Sequence, residues 1–359
     1  MSRPRRDTYS LLAHTLALLV HAVTLALAVA GLAIVVTGWG VITMMLLGAI
    51  LLGTAFALRP RFGSLPKNGE APVLHRADAP RLFALIDEVA AVVGTRGVDA
   101  VVIEAQPNAM VSTYGIRQRR VLRLGLGLWE VLSPRQRVAL LGHELGHYAN
   151  GDTRHGVVIH NALYSLASWV YFLAPKSHPT LPERFANWLM AVPRWAAYGL
   201  LVLLDQLTLR ATQRAEYLAD EAAARTGSTK AAAELMDRLL ITAAVDTELR
   251  RQSVAAHTQG RRSTSRDEAE AGLWERLADH IGSVPEREYE RLRRAAALRG
   301  HAVDSTHPPT HLRRRRLAEA AEPQAAAVRP TEDTIAAIEA ELREARSRVA
   351  RQVIRDYAS

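Results

Sequence analysis

Ser133 to Asn150 reads SPRQRVALLGHELGHYAN, and the centre of that stretch, His143-Glu144-Leu145-Gly146-His147, governs how the rest of the chain is read. Ser133 followed by Pro134 is a helix start: a hydroxyl that can cap free N–H groups, then a ring that suits the first turn. Val138, Leu141 and Leu145 recur at helical spacing and predict a buried stripe. On such a helix His143 and His147 stand four apart on one face, so both can aim a ring nitrogen at a single metal ion. Glu144 then lies beside the metal, where a carboxylate can take the proton of an attacking water. Gly142 and Gly146 each cost about 1 kcal/mol of helix propensity against alanine. Their bare backbone predicts that another chain segment or a substrate comes close to the metal face. The bare spacing also arises by chance on surface helices, so the other segments must carry the reading.

A hydrolytic zinc site needs a third protein ligand and an open fourth position. The best candidate is Glu216, in Arg214-Ala-Glu216-Tyr-Leu-Ala-Asp220. The segment reads as helical, so Glu216 and Asp220 share a face. Glu216 can bind the metal while Asp220 accepts a hydrogen bond from a ligand histidine and fixes its tautomer. A solvated acidic face on an alanine-rich helix is the plain alternative, and spacing alone leaves the two open.

GHELGHYANGD (Gly142 to Asp152), EYLAD (Glu216 to Asp220) and STHPP (Ser305 to Pro309) occur in that order. Together they resemble the membrane-bound zinc metalloproteases of the HtpX type, relatives of the CAAX prenyl proteases. The resemblance runs from about Pro80 to Leu317. It implies one zinc ion per chain, held by His143, His147 and Glu216, with Glu144 as general base. It also implies that His307 and Arg313, in STHPPTHLRRRRL, face the active site and steady the oxyanion of the attacked carbonyl, a use of fixed donors that makes chemical sense. A basic helix start, with its arginines meeting lipid or solvent, is the rival reading of that block. Asn108-Ala109 matches an edge-strand pair that in the family holds the substrate backbone. Where relatives carry an arginine three residues before the zinc glutamate, this chain has Gln213, with Arg214 next.

Leu11 to Val36 is almost wholly apolar and long enough to cross a bilayer with tilt; Val41 to Leu58 reads as a second span. The link Thr37-Gly-Trp-Gly40 is uncharged, whereas Arg3, Arg5 and Arg6 precede the pair and Arg59, Arg61 and Lys67 follow it. The positive-inside rule then puts both ends in the cytoplasm. A cleaved signal peptide is disfavoured by the length of the apolar run. Gly156 to Ala174 and Trp188 to Leu207 are weaker candidates because they carry His160, Asn161, Arg194 and Asp205, which must face protein or water. Pro175 to Asn187 reads as the loop between them. His14 and His21 share a face of the first span and read as packing residues.

Composition agrees: 49% hydrophobic residues beside 23% charged ones fit membrane helices joined to a water-facing domain. The net charge of +9 favours an anionic leaflet, and no nucleic-acid-binding motif accompanies it. Cysteine is absent, so no disulfide supports the fold, which suits a reducing compartment. Arg81 to Val93 has helical spacing, and Ala100 to Ile103, Ala109 to Tyr114 and Val121 to Gly125 read as strands of a small sheet whose edge an extended substrate can join. Gln259 to Asp267 reads as a polar loop, and Thr331 to Tyr357 as an amphipathic helix that packs on its own domain by default.

The fold class expected is mainly α with a small β-sheet, a membrane-embedded zincin-type metalloprotease. Its divisions are a cytoplasmic start (1–10), a transmembrane hairpin (11–58), a first catalytic part with the zinc helix (59–155), a second pair of membrane helices (156–208), a second catalytic part (209–320) and a charged helical tail (321–359). The function expected is zinc-dependent endopeptidase activity on protein or peptide substrates, by resemblance misfolded or damaged membrane proteins. The site would face the cytoplasm from the inner membrane. The alternatives are a prenyl-protein protease of the CAAX type and a non-catalytic zinc-binding membrane scaffold. Oligomeric state is not readable from the sequence.

Overall fold

The computed structural model describes residues 8–60, 63–67, 69–150, 152–259, 263–298 and 308–356. Helices α1 (Thr8–Thr37) and α2 (Ile42–Ala57) come first, then strand β1 (Val73–Leu74), α3 (Pro80–Val93), strands β2 (Ala100–Glu104), β3 (Ala109–Tyr114) and β4 (Arg119–Gly125), and helices α4 (Leu126–Trp129) and α5 (Pro134–Ala149). The long helices α6 (Asp152–Phe172), α7 (Leu181–Leu189) and α8 (Ala191–Gly227) follow. The remainder is helical: α9 (Thr229–Leu240), α10 (Thr242–Gln259), α11 (Ser263–Ala271), α12 (Leu273–Gly282), α13 (Glu286–Leu298), α14 (Thr310–Ala318) and α15 (Glu332–Asp356). The chain divides into two units, Met1–Arg61 with Asp152–Thr212, and Phe62–Gly151 with Gln213–Ser359.

In the first unit α1 crosses α2 where both lack side chains. A Cβ on Gly31 would stand 3.0 Å from the Gly48 carbonyl oxygen, and one on Gly48 2.5 Å from a Val35 methyl. Small residues of α1 (Ala13 and Ala17) together with Val20 bury against Ala162 and Leu166 of α6 and Leu204 of α8. His21 bonds through Nε2 to the Val158 carbonyl at 3.0 Å, so it joins α1 to α6 as a packing residue. The outward leucines of α1, including Leu18, Leu19 and Leu25, are more than half exposed. An apolar surface that extensive calls for apolar surroundings. At 30 residues α1 is about 45 Å long, enough to cross a hydrocarbon core of roughly 30 Å.

The other expected spans are helical but fall short of the same measure. Helix α2 has 16 residues, about 24 Å, and α6 is too polar. Among the described residues, α7 and α8 satisfy the measure only jointly, across a 44° bend. The loop expected over Pro175 to Asn187 closes early. Thr180 and Glu183 form a capping box that starts α7, a signal local enough to read but hidden among three prolines.

In the second unit the sheet has the order β1-β2-β4-β3, with β2 parallel to β4 and β3 antiparallel to it. The central strand β2 is buried through Ile103, as its apolar run requires, and β3 lies at the edge. One face packs into a large core with α3 and α5. The other is covered by Leu65, Ala71, Val73 and Tyr114. Gln259 to Asp267, expected as a loop, is mostly helix: α10 ends at Gln259 and α11 begins at Ser263. Residues 260–262 lie outside the described set. The run Asp267-Glu-Ala-Glu-Ala is a competent helix former, and the glycine and serines before it obscured that.

Helix α15 is part of the second unit's core, burying Ile338, Leu342, Val349 and Val353. It also completes α3. Ala79, at the N-cap of α3, has no side chain to offer, and the Glu341 carboxylate takes the Arg81 and Leu82 N–H groups instead, at 2.8 and 3.0 Å. Glu341→Ala should destabilise the protein by about 1–2 kcal/mol, the worth of a lost cap with its charge at a helix N-terminus. Thermal unfolding in detergent should show a midpoint lowered by a few degrees, while Glu344→Ala, at an exposed neighbouring position, should leave it unmoved.

Candidate metal centre

Helix α5 begins as its sequence predicts. Ser133 and Gln136 form a reciprocal capping box, with the Ser133 N–H donating to Gln136 Oε1 at 3.0 Å. From Val138 to Gly146 every residue is buried, which sets the helix inside the core. Its glycines face the second half of α8. A Cβ on Gly142 would meet Thr226 Oγ1 at 2.0 Å and one on Gly146 would meet Ala219 Cα at 3.0 Å. The segment predicted to approach the metal face is therefore the helix that carries Glu216 and Asp220.

That approach brings three donors together. Ligand atoms of His143, His147 and Glu216 all lie within 4.8 Å of one another. His143 Nε2 is 3.6 Å from Glu216 Oε2, and His147 Nε2 is 3.7 Å from Glu216 Oε1. Donors around a tetrahedral ion with bonds near 2.0–2.1 Å stand about 3.3 Å apart, so the spacing is close to what an ion needs. Charge makes the same point. Glu144, Glu216 and Asp220 are buried, and so is one guanidinium, Arg313. Three buried carboxylates face one buried guanidinium, an excess of acidic groups that a bound cation could offset. His147 is the more open of the two imidazoles.

Asp220 stands behind His143, its Oδ1 3.1 Å from Nδ1. A proton held on Nδ1 leaves Nε2 free to face the other ligand atoms. Arg313, from α14, forks onto the same carboxylate through Nε at 2.8 Å and Nη2 at 2.6 Å, and its Nη1 is 3.2 Å from Glu216 Oε2. Burial alone would raise the Asp220 carboxyl; hydrogen bonds from Arg313 and His143, and their charge, override it and hold it at about 2. The cation beside Glu216 thus comes from α14. Arg313 pairs with both carboxylates of the α8 segment, Asp220 and Glu216. Arg314 pairs with Asp237 and Arg316 with Glu221, so most of the arginine run meets protein carboxylates. His307 lies outside the described residues. Asn108 is exposed and Ala109 half-buried at the start of β3, on the sheet's edge.

Two supports escaped the sequence reading. The Tyr148 hydroxyl, one turn beyond Glu144, sits between the carbonyl oxygens of Ser112 and Val121 (3.1 Å to the latter) and ties α5 to β3 and β4. Burial pushes that phenol well above its usual range, against the pull of the Val121 bond. At the other end of α5, Arg137 donates to the Trp129 carbonyl at 2.9 Å and lies near Glu130, which Arg346 of α15 meets at 2.9 Å. Burial raises the Glu130 carboxyl and lowers Arg137, each opposed by its partners' charge. The tyrosine after the second histidine was a readable signal; the Arg346 contact had none.

Asp220→Asn should weaken metal binding about 10–100-fold, the usual worth of a ligand's outer partner, in competition against a chelator. In the metal-free protein the sign of the pH effect follows from a carboxyl at about 2 when folded against an ordinary 3.8. The ion pair contributes on the order of 2 kcal/mol above pH 4 and loses it as pH falls toward 2. The stability gap between wild type and Asp220→Asn should shrink across that window in denaturant titrations.

The sequence profile described as Peptidase family M48 matches residues 76–321. Three curated proteins called Protease HtpX homolog are similar. That of Pyrobaculum calidifontis is 27% identical over 248 residues, covering 66% of this chain and 67% of its own. That of Pyrobaculum aerophilum is 27% identical over 237 residues, 64% of this chain and 65% of its own. That of Pyrobaculum islandicum is 25% identical over 300 residues, 78% and 77%. The chain thus spans about two thirds of the length of the first two. No solved structure matches it. The profile covers well over half of the 359 residues and includes every residue gathered at the metal centre, and on that ground the chain belongs to peptidase family M48, a family of metalloproteases.

Proposed function

We propose that the protein is a zinc-dependent membrane endopeptidase, anchored in the inner membrane by several helices, with its site on the cytoplasmic side. The observation that carries this is the convergence of His143, His147 and Glu216 on one point with the Glu144 carboxylate buried beside them. Two histidines and a glutamate form the donor set of hydrolytic zinc sites, which leave a fourth position open. Zinc bound there supplies Lewis acidity to the scissile carbonyl and to the attacking water.

The chain's own residues do the rest. Glu144 takes the proton of the attacking water and passes it to the leaving amine nitrogen. Asp220 holds the Nδ1 proton of His143, and Arg313 holds Asp220 and Glu216 in place. The edge of β3 from Ala109 offers backbone groups with which an extended substrate pairs, and this favours cleavage of unfolded segments of varied sequence. Asn108 borders that edge. His307 is assigned the oxyanion by resemblance. Misfolded or damaged membrane proteins are the substrate class proposed. The cytoplasmic side is supported by the arginines and lysine that flank the helix pair, whose Thr37–Gly40 link is uncharged.

Casein cleavage by detergent-purified protein tests the reading, wild type beside Glu144→Gln, with metal content measured on both. Equal binding of one zinc with turnover lowered by about 10²–10⁴-fold in Glu144→Gln is the expected result for loss of a general base. Equal cleavage by the two proteins would remove Glu144 from the reaction.

A further inference from the structure

The β3–β4 hairpin ends in Gly115-Ile116-Arg117-Gln118. The turn satisfies itself. The Gln118 N–H donates to the Gly115 carbonyl at 3.1 Å, and Thr113 Oγ1 donates to the Gln118 side-chain oxygen at 2.7 Å. Gly115 and Gln118 both take positive φ, +67° and +50°, which fixes the reversal. None of these bonds uses Ile116. It stands at the apex 84% exposed, among the most exposed apolar side chains of the second unit.

Its neighbours are cations. Arg117 and Arg119 are exposed, and among the described residues no acidic side chain pairs with either. Arg120 shows the contrast: its guanidinium donates to Thr95 and to the Arg96 carbonyl and lies over the Tyr148 ring. One exposed isoleucine is ordinary. A hydrogen-bonded turn with isoleucine at its apex and two exposed guanidiniums beside it has the composition of elements that seat at an anionic bilayer surface, apolar group inward and cations at the phosphates.

Chain connectivity points the same way. The Gly115 N–H donates to the Gly63 carbonyl at 2.9 Å, and a Cβ on Gly63 would lie 2.5 Å from the Thr113 carbonyl oxygen, so residue 63 is held against the base of the hairpin. Gly63 comes five residues after Leu58, the C-cap of the apolar helix α2, and five residues of chain reach at most about 18 Å. A weak lipid contact suffices on so short a tether, because it forms intramolecularly once the apolar helices are embedded.

We propose that the β3–β4 hairpin tip, with Ile116 at its apex and Arg117 and Arg119 beside it, seats in the headgroup layer of an anionic membrane. The proposal rests on the apolar helices being embedded and does not depend on catalysis.

Because the chain has no cysteine, single labels are unambiguous. Ile116→Cys, Leu25→Cys and Glu344→Cys, each carrying a nitroxide, are placed in lipid nanodiscs of phosphatidylcholine alone or mixed with phosphatidylglycerol. Collision with oxygen and with a water-soluble nickel chelate then reports depth. The expected result with phosphatidylglycerol is a several-fold rise in the oxygen-to-nickel ratio at 116 over that at 344. Adding Arg117→Glu and Arg119→Glu should return it to the aqueous value. A label at 116 that stays aqueous while that at 25 lies in lipid overturns the proposal and leaves the membrane reading intact. An aqueous label at 25 overturns both. A label at 116 that is immobilised without any change in collision ratio marks a protein contact, and that also overturns it.

Discussion

Everything at the metal centre hangs on how closely α5 and the second half of α8 approach. Two glycines on one side, with Ala219, Ala222 and Thr226 on the other, let the backbones meet with almost nothing between them. Each glycine weakens its helix in isolation. The approach it permits sets Glu216 at the depth of the two imidazoles, where a side chain at either position would hold the helices apart and open the donor set. Glu216 and Asp220 then act from successive turns of one helix, the first beside both histidines and the second behind one of them.

Around that contact lies a graded set of charges. The innermost, Asp220 and Arg313, are nearly without solvent exposure, so each is intelligible only with the other. Farther out, Glu130, Arg137 and Arg346 link both ends of the polypeptide's second unit through half-buried pairs. The outermost, such as Arg250 with Asp246 on α10, are exposed and weigh little. Burial of charge therefore increases toward the candidate ligands.

How much of this was legible depended on how far apart in the chain the partners lie. The cap and buried stripe of α5, the strands β2 to β4 and the pairing of Glu216 with Asp220 on one face are set by neighbours within a few residues, and their boundaries agree to within two residues. The cap on α3 was invisible because its acceptor, Glu341, lies 260 positions from Arg81. Arg313 was singled out through resemblance, but its engagement with Asp220 needs the fold, since nothing in STHPPTHLRRRRL says which of four arginines turns inward. The long helices of the first unit were half legible: α1 is apolar throughout, whereas the polar groups of α6 and α8 are tolerable or not according to what they face, which periodicity alone does not decide.

Helix α15 lies beyond the matched residues 76–321, yet it caps α3 and reaches Glu130 at the foot of the metal-bearing helix. This imposes an order in time. A growing chain exposes Glu144 well before Glu341 exists, and at ordinary synthesis rates the interval is roughly 10–40 s. Throughout it the nascent hydrolase lacks the piece that closes its scaffold. A chain cut short before Glu341 would lack both the carboxylate that caps α3 and the guanidinium that meets Glu130, so the helices around the donor set would be less well braced.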